Sequence, residues 1–322
     1  MPLNTVFKDN LLQDKVAIIT GGGTGIGLRT AREMAQLGCT VVLSSRKKEN
    51  LDKAVALIEG EGGKALAVEC NIRDEESIKA CIDTVLKAYG KIDFLINNGG
   101  GQFPSPAEMI SKKGWTAVIE TNLTGTFFMS HEVFNRHMVK HGGAIVNVIA
   151  NMFNGFPLMS HTGAARAGVE NITRSLANEW GRYGVRVNAV APGTIKSSGL
   201  DSYDPMYKEF IMGYSKNNQT YRLGTEAEVA SSIVYLLTPG AAFITGVTLR
   251  VDGGESLYHP VFPHRKILPT IYTNNCSTFV MEFAAAYHLP KNYYEKNYAI
   301  SISHTSGNGC ACTVAAHQTV GI

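Results

Sequence analysis

A chain of 322 residues is long enough for one large α/β domain with an appendage, and its 44% apolar and 18% charged content allows a sizeable buried core. A net charge of only +3 excludes the basic stripe that a nucleic-acid interface needs. No uninterrupted apolar run is long enough to span a bilayer, and Met1 to Asp14 lacks the apolar core of a secretory signal.

The elements alternate. Val16 to Thr20 reads as a buried strand and Gly25 to Leu37 as an amphipathic helix closed by Gly38. Thr40 to Ser44 is a second strand, Lys48 to Glu59 a charged helix, and Ala65 to Cys70 a third strand. Glu75 to Tyr89 follows as a helix whose apolar face carries Ile78, Ile82, Val85 and Leu86, ending at Gly90. Ile92 to Asn97 is a fourth strand. A long helix is expected over Lys113 to His131, broken or bent near Gly125 and continued by Glu132 to Lys140. Ala144 to Ile149 is a fifth strand, Thr162 to Tyr183 a helix, and Val185 to Val190 a sixth strand. Glu226 to Leu237 is a helix and Val247 to Val251 a seventh strand.

This alternation predicts a doubly wound parallel sheet with helices on both faces. Ligands of such sheets sit beyond the carboxyl ends of the strands. From His259 to Ile322 charge thins out, Asn, Tyr, Thr, His and Ser become frequent, and the alternation stops. The expected division is a body over 1–258 and a loosely ordered C-terminal extension over 259–322. Within the extension Phe279 to Tyr287 could form a short helix, and the whole segment could instead be an arm docked on a subunit surface.

Cys39, Cys70 and Cys81 read as small buried hydrophobes of a reducing compartment. Cys276 stands alone, and Cys310 and Cys312 lack a second pair at metal spacing, so no metal site is expected.

Chemistry concentrates after the strands. Thr20-Gly21-Gly22-Gly23-Thr24-Gly25-Ile26-Gly27 joins the first strand to the first helix. Glycines let the backbone turn sharply and approach a pyrophosphate, and the helix N-terminus offers it free N–H groups and a partial positive charge. Gly21, Gly23, Thr24, Gly25, Ile26 and Gly27 are therefore candidate cofactor contacts. The second strand ends in Ser45, Arg46 and Lys47, with none of the carboxylates that accept from an NAD ribose. Arg46 offers a fork suited to a 2′-phosphate, so the predicted cofactor is NADPH. Asn71 and Ile72 are placed for adenine, Asn98 and Gly99 for the cofactor ribose, and Pro192, Gly193, Thr194 and Ile195 for the nicotinamide. The neighbouring Asn97 is expected to brace the sheet.

Thr20 to Gly27, Asn97 to Gly101, Asn122-Leu123-Thr124-Gly125, Pro192-Gly193 and Val251-Asp252-Gly253-Gly254 together resemble the short-chain dehydrogenase/reductase family, over about Leu11 to Tyr258. The resemblance implies a single Rossmann domain with a seven-stranded parallel sheet, assembled as a homo-oligomer. The stretches Asn97 to Glu108, Gly155 to Leu158 and His161 to Val169 are most similar to the family's peroxisomal trans-2-enoyl-CoA reductases, relatives of its 2,4-dienoyl-CoA reductases. That implies an acyl-CoA thioester as substrate, fatty acid metabolism, and a peroxisomal location. Val320-Gly321-Ile322, however, is not a Ser-Lys-Leu address.

The departures from the family pattern direct the chemistry. Where most members carry Ser, Tyr and Lys, this sequence has Ala150, Thr162 and Arg166, and Asn122 alone of the four catalytic positions matches. Without a phenol the usual proton exchange with a ketone or alcohol is lost. Reduction of an enoyl thioester asks for less: hydride to Cβ, donors for the enolate oxygen, then a proton at Cα. Arg166 is expected to hold the nicotinamide ribose and supply fixed positive potential, and Thr162 to donate to the thioester oxygen. His161 is a candidate acid, although an adjacent helical position points about 100° away from Thr162. Relatives place a tyrosine acid where Glu170 stands, but Glu170 reads rather as an i,i+4 partner of Arg166 or a solvated helix residue. Gln102, Phe103 and Phe156 are expected to touch the substrate. Ser197 to Leu223, with Tyr203, Met206, Tyr207, Phe210, Ile211, Met212 and Tyr214, suits a lid over an acyl chain or a subunit contact. Lys196, Lys208 and Lys216 could meet a coenzyme A phosphate or simply face solvent. The three expected functions are trans-2-enoyl-CoA reduction, 2,4-dienoyl-CoA reduction, and NADPH binding without catalysis.

Overall fold

The computed structural model describes residues 7–197, 213, 218–257, 298–305 and 309–316. The lid residues from Tyr203 to Tyr214 named above, Lys208, Lys216, Cys276 and the Phe279–Tyr287 helix lie outside the described residues.

Seven short strands carry the fold because each is an apolar run too brief for a helix and bounded by glycine or polar turns. They are β1 (Val16–Thr20), β2 (Thr40–Ser45), β3 (Lys64–Glu69), β4 (Phe94–Asn97), β5 (Gly143–Val148), β6 (Val185–Pro192) and a last strand, Thr248–Val251. Two minor strands precede the last, β7 (Ile195–Lys196) and β8 (Gly224–Thr225), which makes Thr248–Val251 β9. The large sheet has the order β3-β2-β1-β4-β5-β6-β9 and is parallel throughout. The order reverses between β1 and β4, which opens the crevice where ligands of such sheets bind.

Helices α1 (Gly25–Gln36), α2 (Lys48–Gly60) and α3 (Glu75–Tyr89) return the chain between the first four strands. Both sheet faces are buried. Ile19, Leu43, Met34, Leu51 and Val146 pack on one side, and Ile18, Val42, Ile82, Leu95 and Ile145 on the other. Asp93 fastens the edge of this core, accepting from the Val16 N–H and from Lys15 Nζ, both at 2.9 Å.

The long helix expected before β5 is present but interrupted. It runs as α4 (Lys112–Ile119), a π turn over Glu120–Thr124, α5 (Gly125–Val133), a second π turn over Phe134–Met138 and α6 (Val139–His141). The irregularity falls just before Gly125 and contains Asn122. A Cβ on Gly125 would stand 2.6 Å from the Ile72 carbonyl oxygen, so glycine is what lets α5 approach the β3–α3 connection. Helix α7 (Ser160–Trp180) starts two residues earlier than the sequence pattern suggests. Helix α8 (Glu226–Leu237) opens on a capping box made by Thr225 and Glu228, and it packs against α1.

The chain divides into two units, Met1–Tyr258 and His259–Ile322. Within the second, β10 (Tyr298–Thr305) and β11 (Gly309–Ala316) pair as an antiparallel hairpin, with Ile302 opposite Cys312 and His304 opposite Cys310. The sequence pattern does not set these two strands apart from the rest of the extension. Alternating polar and small β-tolerant residues mark them only faintly in sequence.

Candidate functional site

Thr20 joins the ends of β1 and β4. Its Oγ1 accepts from the Asn98 N–H at 3.0 Å and the Gly99 N–H at 2.8 Å. Asn98 Nδ2 returns to the Thr20 carbonyl oxygen at 3.1 Å and to that of Gly21 at 3.3 Å. Below them Asn97 Nδ2 donates to Ser130 Oγ at 2.8 Å and Asn147 Oδ1 at 2.9 Å, which joins β4, α5 and β5 as expected for a brace.

Within the glycine turn, Gly21 and Gly25 have φ of 64° and 58°, the left-handed region that glycine enters without strain. A Cβ on Gly27 would stand 2.5 Å from Asn98 Nδ2, so that helix start lies against the β4 loop. Thr24 occupies the N-cap of α1, yet its side chain makes no cap hydrogen bond, and no acidic residue lies in the first turn. The start of α1 therefore has no side-chain cap from Thr24 to compete with an anion for its free N–H groups. Gly23 and Ile26 belong to the same turn.

At the end of β2 Ser45 is half-buried, and Arg46 and Lys47 are exposed. Ser45 Oγ accepts weakly from the Lys47 N–H at 3.4 Å. Arg46 takes part in none of the ion pairs among the described residues. Asn71 uses its side chain locally, Oδ1 accepting from the Arg73 N–H at 3.3 Å, and it lies beside the half-buried Ile72. Behind β6, the Thr194 N–H and Oγ1 both donate to Glu255 Oε2, at 3.0 and 3.2 Å. A Cβ on Gly193 would stand 2.8 Å from Asp252 Cα, so the turn Pro192-Gly193-Thr194-Ile195 rests on the turn after β9. Glu255 was not anticipated, though it directly follows the Asp252-Gly253-Gly254 motif.

The candidate reaction centre gathers from three elements. Asn122, fully buried in the first π turn, donates from Nδ2 to the Gly101 carbonyl oxygen at 2.7 Å and the Val118 carbonyl oxygen at 2.9 Å. Its Oδ1 accepts from the Gly101 N–H at 3.3 Å. A π turn widens the backbone locally, and here it aims this amide at the β4 loop. Arg166, buried on α7, donates from Nη1 to the Val148 carbonyl oxygen at 2.9 Å, and its Nη2 lies against Gly100. No carboxylate pairs with it among the described residues. Burial brings its guanidinium down to a pKa of about 10, so it remains charged at neutral pH.

Two expectations on α7 are corrected. His161 does not point away from Thr162. Its Nδ1 accepts from the Thr162 N–H at 2.9 Å and stands 3.4 Å from Thr162 Oγ1, because this imidazole folds back onto an unsatisfied donor in the first helical turn. Glu170 does not pair with Arg166. Its carboxylate is held by Arg174, one turn further along α7. Arg166 instead turns inward, to the end of β5.

The substrate candidates converge as well. The Phe103 ring meets the His161 ring edge to face at 4.6 Å and 87°. Phe103 also crowds Gly114, where a Cβ would stand 2.8 Å from Cζ. Phe156 packs on Gly163 of α7, a Cβ there lying 2.9 Å from its own. Gln102 is exposed at the rim. Asn154 and Phe153, beside Phe156, are fastened to the turn after β9: Asn154 Nδ2 donates to the Ser256 carbonyl oxygen at 3.1 Å, and Arg250 covers the Phe153 ring at 3.7 Å. Among the described residues no helix is long and apolar enough to cross a membrane.

The profile of the family described as Enoyl-(Acyl carrier protein) reductase matches residues 21–256. The peroxisomal 2,4-dienoyl-CoA reductase of Rattus norvegicus, a (3E)-enoyl-CoA-producing enzyme, is 38% identical over 258 residues, which is 79% of this chain and 88% of that protein. A probable 2,4-dienoyl-CoA reductase of Bacillus subtilis, (2E)-enoyl-CoA-producing, is 37% identical over 252 residues, 76% of this chain and 98% of that one. Among solved structures, a citronellol catabolism dehydrogenase from Pseudomonas aeruginosa superposes with a TM-score of 0.72 at 46% identity, covering 79% of this chain and all of that one.

Proposed function

The chain belongs to the short-chain dehydrogenase/reductase family, and on that premise we propose that it reduces α,β-unsaturated acyl-CoA thioesters with NADPH, a 2,4-dienoyl-CoA being the favoured substrate. The observation that carries this reading is the buried guanidinium of Arg166, set beside Asn122 and Gly100, with no carboxylate paired to it among the described residues and Thr162 where the family pattern has its phenol. Such a centre stabilises developing negative charge and is poorly equipped to exchange a proton with a carbonyl oxygen.

The residues fit a dinucleotide. The uncapped start of α1 and the left-handed Gly21 and Gly25 suit a pyrophosphate. Ser45, Arg46 and Lys47 would take the 2′-phosphate, Asn71 and Ile72 the adenine, and Asn98, Gly99 and Arg166 the ribose next to the nicotinamide. Pro192 to Ile195 would back the nicotinamide ring. When bound, NADPH supplies the hydride.

Electron flow in the substrate explains why so few groups suffice. Hydride at Cδ of a 2,4-dienoyl thioester moves charge through the conjugated chain onto the thioester oxygen. Arg166 holds positive potential for that charge in a site of low dielectric. A proton from water then closes the reaction, at Cα to give a 3-enoyl product or at Cγ to give a 2-enoyl product. The relatives named for (3E) and (2E) products differ in that choice.

The matching family, described as an enoyl reductase, favours a second substrate, trans-2-enoyl-CoA, with hydride at Cβ and the same oxygen carrying charge. This was the reading the sequence placed first. The names of the relatives weigh toward the dienoyl thioester. Relatives come from peroxisomes and from a bacterium, so the proposed activity is not tied to one compartment.

The test is direct. Purified protein with NADPH and 2,4-hexadienoyl-CoA or 2,4-decadienoyl-CoA should lose NADPH absorbance, with one equivalent of monoenoyl-CoA formed. Turnover of trans-2-enoyl-CoA alone would move the assignment to the second substrate. Tight NADPH binding with no turnover of either series would leave a cofactor-binding protein without this catalysis.

A further inference from the structure

His161 is completely buried, yet only half of its ring is satisfied. Nδ1 accepts the Thr162 N–H at 2.9 Å. A neutral imidazole whose Nδ1 accepts carries its hydrogen on Nε2. That Nε2–H is buried and has no hydrogen-bond partner among the described residues. Leaving a buried donor unmade costs about 1–3 kcal/mol, so a site that keeps one is prepared for an acceptor.

The surroundings indicate which acceptor. Along α7, His161 lies one residue before Thr162 and five before Arg166, whose guanidinium reaches Gly100. On its open side stands Phe103, three residues beyond Gly100, with ring centroids 4.6 Å apart. Phe103 is 39% exposed while His161 is 0% exposed, so the aromatic ring covers the imidazole from the solvent side. A ligand that shifts this one half-exposed side chain gains a directed N–H donor, together with the positive potential of Arg166. The fitting acceptor is an oxygen that gains negative charge while its attached chain is apolar.

We propose that His161 is a substrate-binding donor, its Nε2–H binding the thioester carbonyl oxygen of the acyl-CoA after the chain displaces Phe103. The proposal rests on the thioester reading of the site. It assigns His161 no proton transfer: with Nδ1 held as an acceptor, the imidazole serves as a fixed donor. Thr162, in the tyrosine position of the family pattern, then contributes mainly through its backbone N–H, which sets the tautomer of its neighbour.

The experiment uses the full chain and two readouts. A dead-end complex with NADP+ and 2,4-hexadienoyl-CoA cannot turn over, so the infrared stretch of its 13C-labelled thioester carbonyl reports hydrogen bonding alone. The stretch should shift to lower frequency on binding to the parent protein, and most of that shift should vanish in His161→Phe, which keeps a ring against Phe103. His161→Gln, which keeps a donor, should recover it in part. In turnover, His161→Phe should lose about 100- to 1,000-fold in kcat, as removal of an oxyanion donor does, with NADPH affinity unchanged within about twofold. Phe103→Ala should alter KM for the acyl-CoA more than kcat. An unchanged carbonyl shift in a folded, NADPH-binding His161→Phe protein, in a parent that does reduce the thioester, overturns the role of His161 and leaves the function standing. A parent that binds neither enoyl- nor dienoyl-CoA overturns both.

Discussion

Arg166 and Gly100 are in contact across the mouth of the site, the guanidinium Nη2 filling the space that any side chain at residue 100 would need. The same missing Cβ would stand 2.7 Å from Asn122 Oδ1. The glycine is therefore what allows a long, planar cation to occupy a position that the family pattern gives to lysine. Gly100→Ala should displace both Arg166 and Asn122. The expected result is a fall in kcat of at least about tenfold with a stability loss of about 1–3 kcal/mol, as for other overpacked sites. Steady-state turnover and urea denaturation of one preparation check it, and a variant with parental kcat would show that the guanidinium relocates freely.

Cofactor choice rests on the end of β2. Arg46 is exposed, and no carboxylate stands at Ser44, Ser45 or Lys47 to accept from a ribose hydroxyl. Replacing Arg46 by Ala should raise KM for NADPH by about 10- to 100-fold, the worth of one or two charge-assisted hydrogen bonds, and leave KM for NADH unchanged. Adding Ser45→Asp should then reverse the preference. Parallel titrations with the two cofactors decide the point, and equal KM values in the parent would count against NADPH.

The strand–turn–helix frame of the candidate cofactor site was legible in the sequence because its signals are local. Strand, glycine turn and helix follow one another within Val16–Gln36, and the seven-stranded parallel sheet follows from the repetition of that unit. The catalytic half was legible only as residue identities. Asn122, Thr162 and Arg166 could be named, but their geometry depends on contacts between distant segments. Nothing near His161 announces that its ring folds back on Thr162 or meets Phe103, 58 positions earlier. The π turn at Glu120–Thr124 was likewise hidden, since an extra residue in a helical turn leaves no compositional mark. The hairpin of β10 and β11 escaped because its alternation, Ile300 and Ile302 on one strand and Cys312 and Val314 on the other, is short and set among small and polar residues.

Glu170 offers a test of how the proton arrives. Its carboxylate is engaged by Arg174 on the flank of α7, away from Arg166. Glu170→Gln should keep kcat within about twofold of the parent and cost no more than the ~0.3–0.5 kcal/mol of a helical i,i+4 pair. A solvent isotope effect on kcat that persists unchanged in this variant would agree with water as the proton source. Loss of turnover by an order of magnitude would return Glu170 to the reaction.

Acid stability should report the start of α8. Glu228 binds Arg222, with Oε2 at 2.9 Å from Nη1, and accepts from the Thr225 N–H and Oγ1, each at 2.9 Å. The hydrogen bond from Arg222, aided by those from Thr225, holds the carboxyl at about 2, against 4.5 for the free group. A carboxyl whose folded pKa lies below its unfolded value stabilises the fold fully above about pH 4.5, and that contribution is lost as pH falls toward about 2. The Glu228 side chain is 41% exposed, so solvent screening keeps the effect modest. Urea midpoints measured at pH 6 and pH 3 should therefore drop further in the parent than in Glu228→Gln, the difference between the two proteins narrowing at the lower pH. Thr225→Ala removes the cap itself and should cost about 1 kcal/mol at either pH. Parallel pH profiles for the parent and Glu228→Gln would show that the capping box carries none of the acid sensitivity.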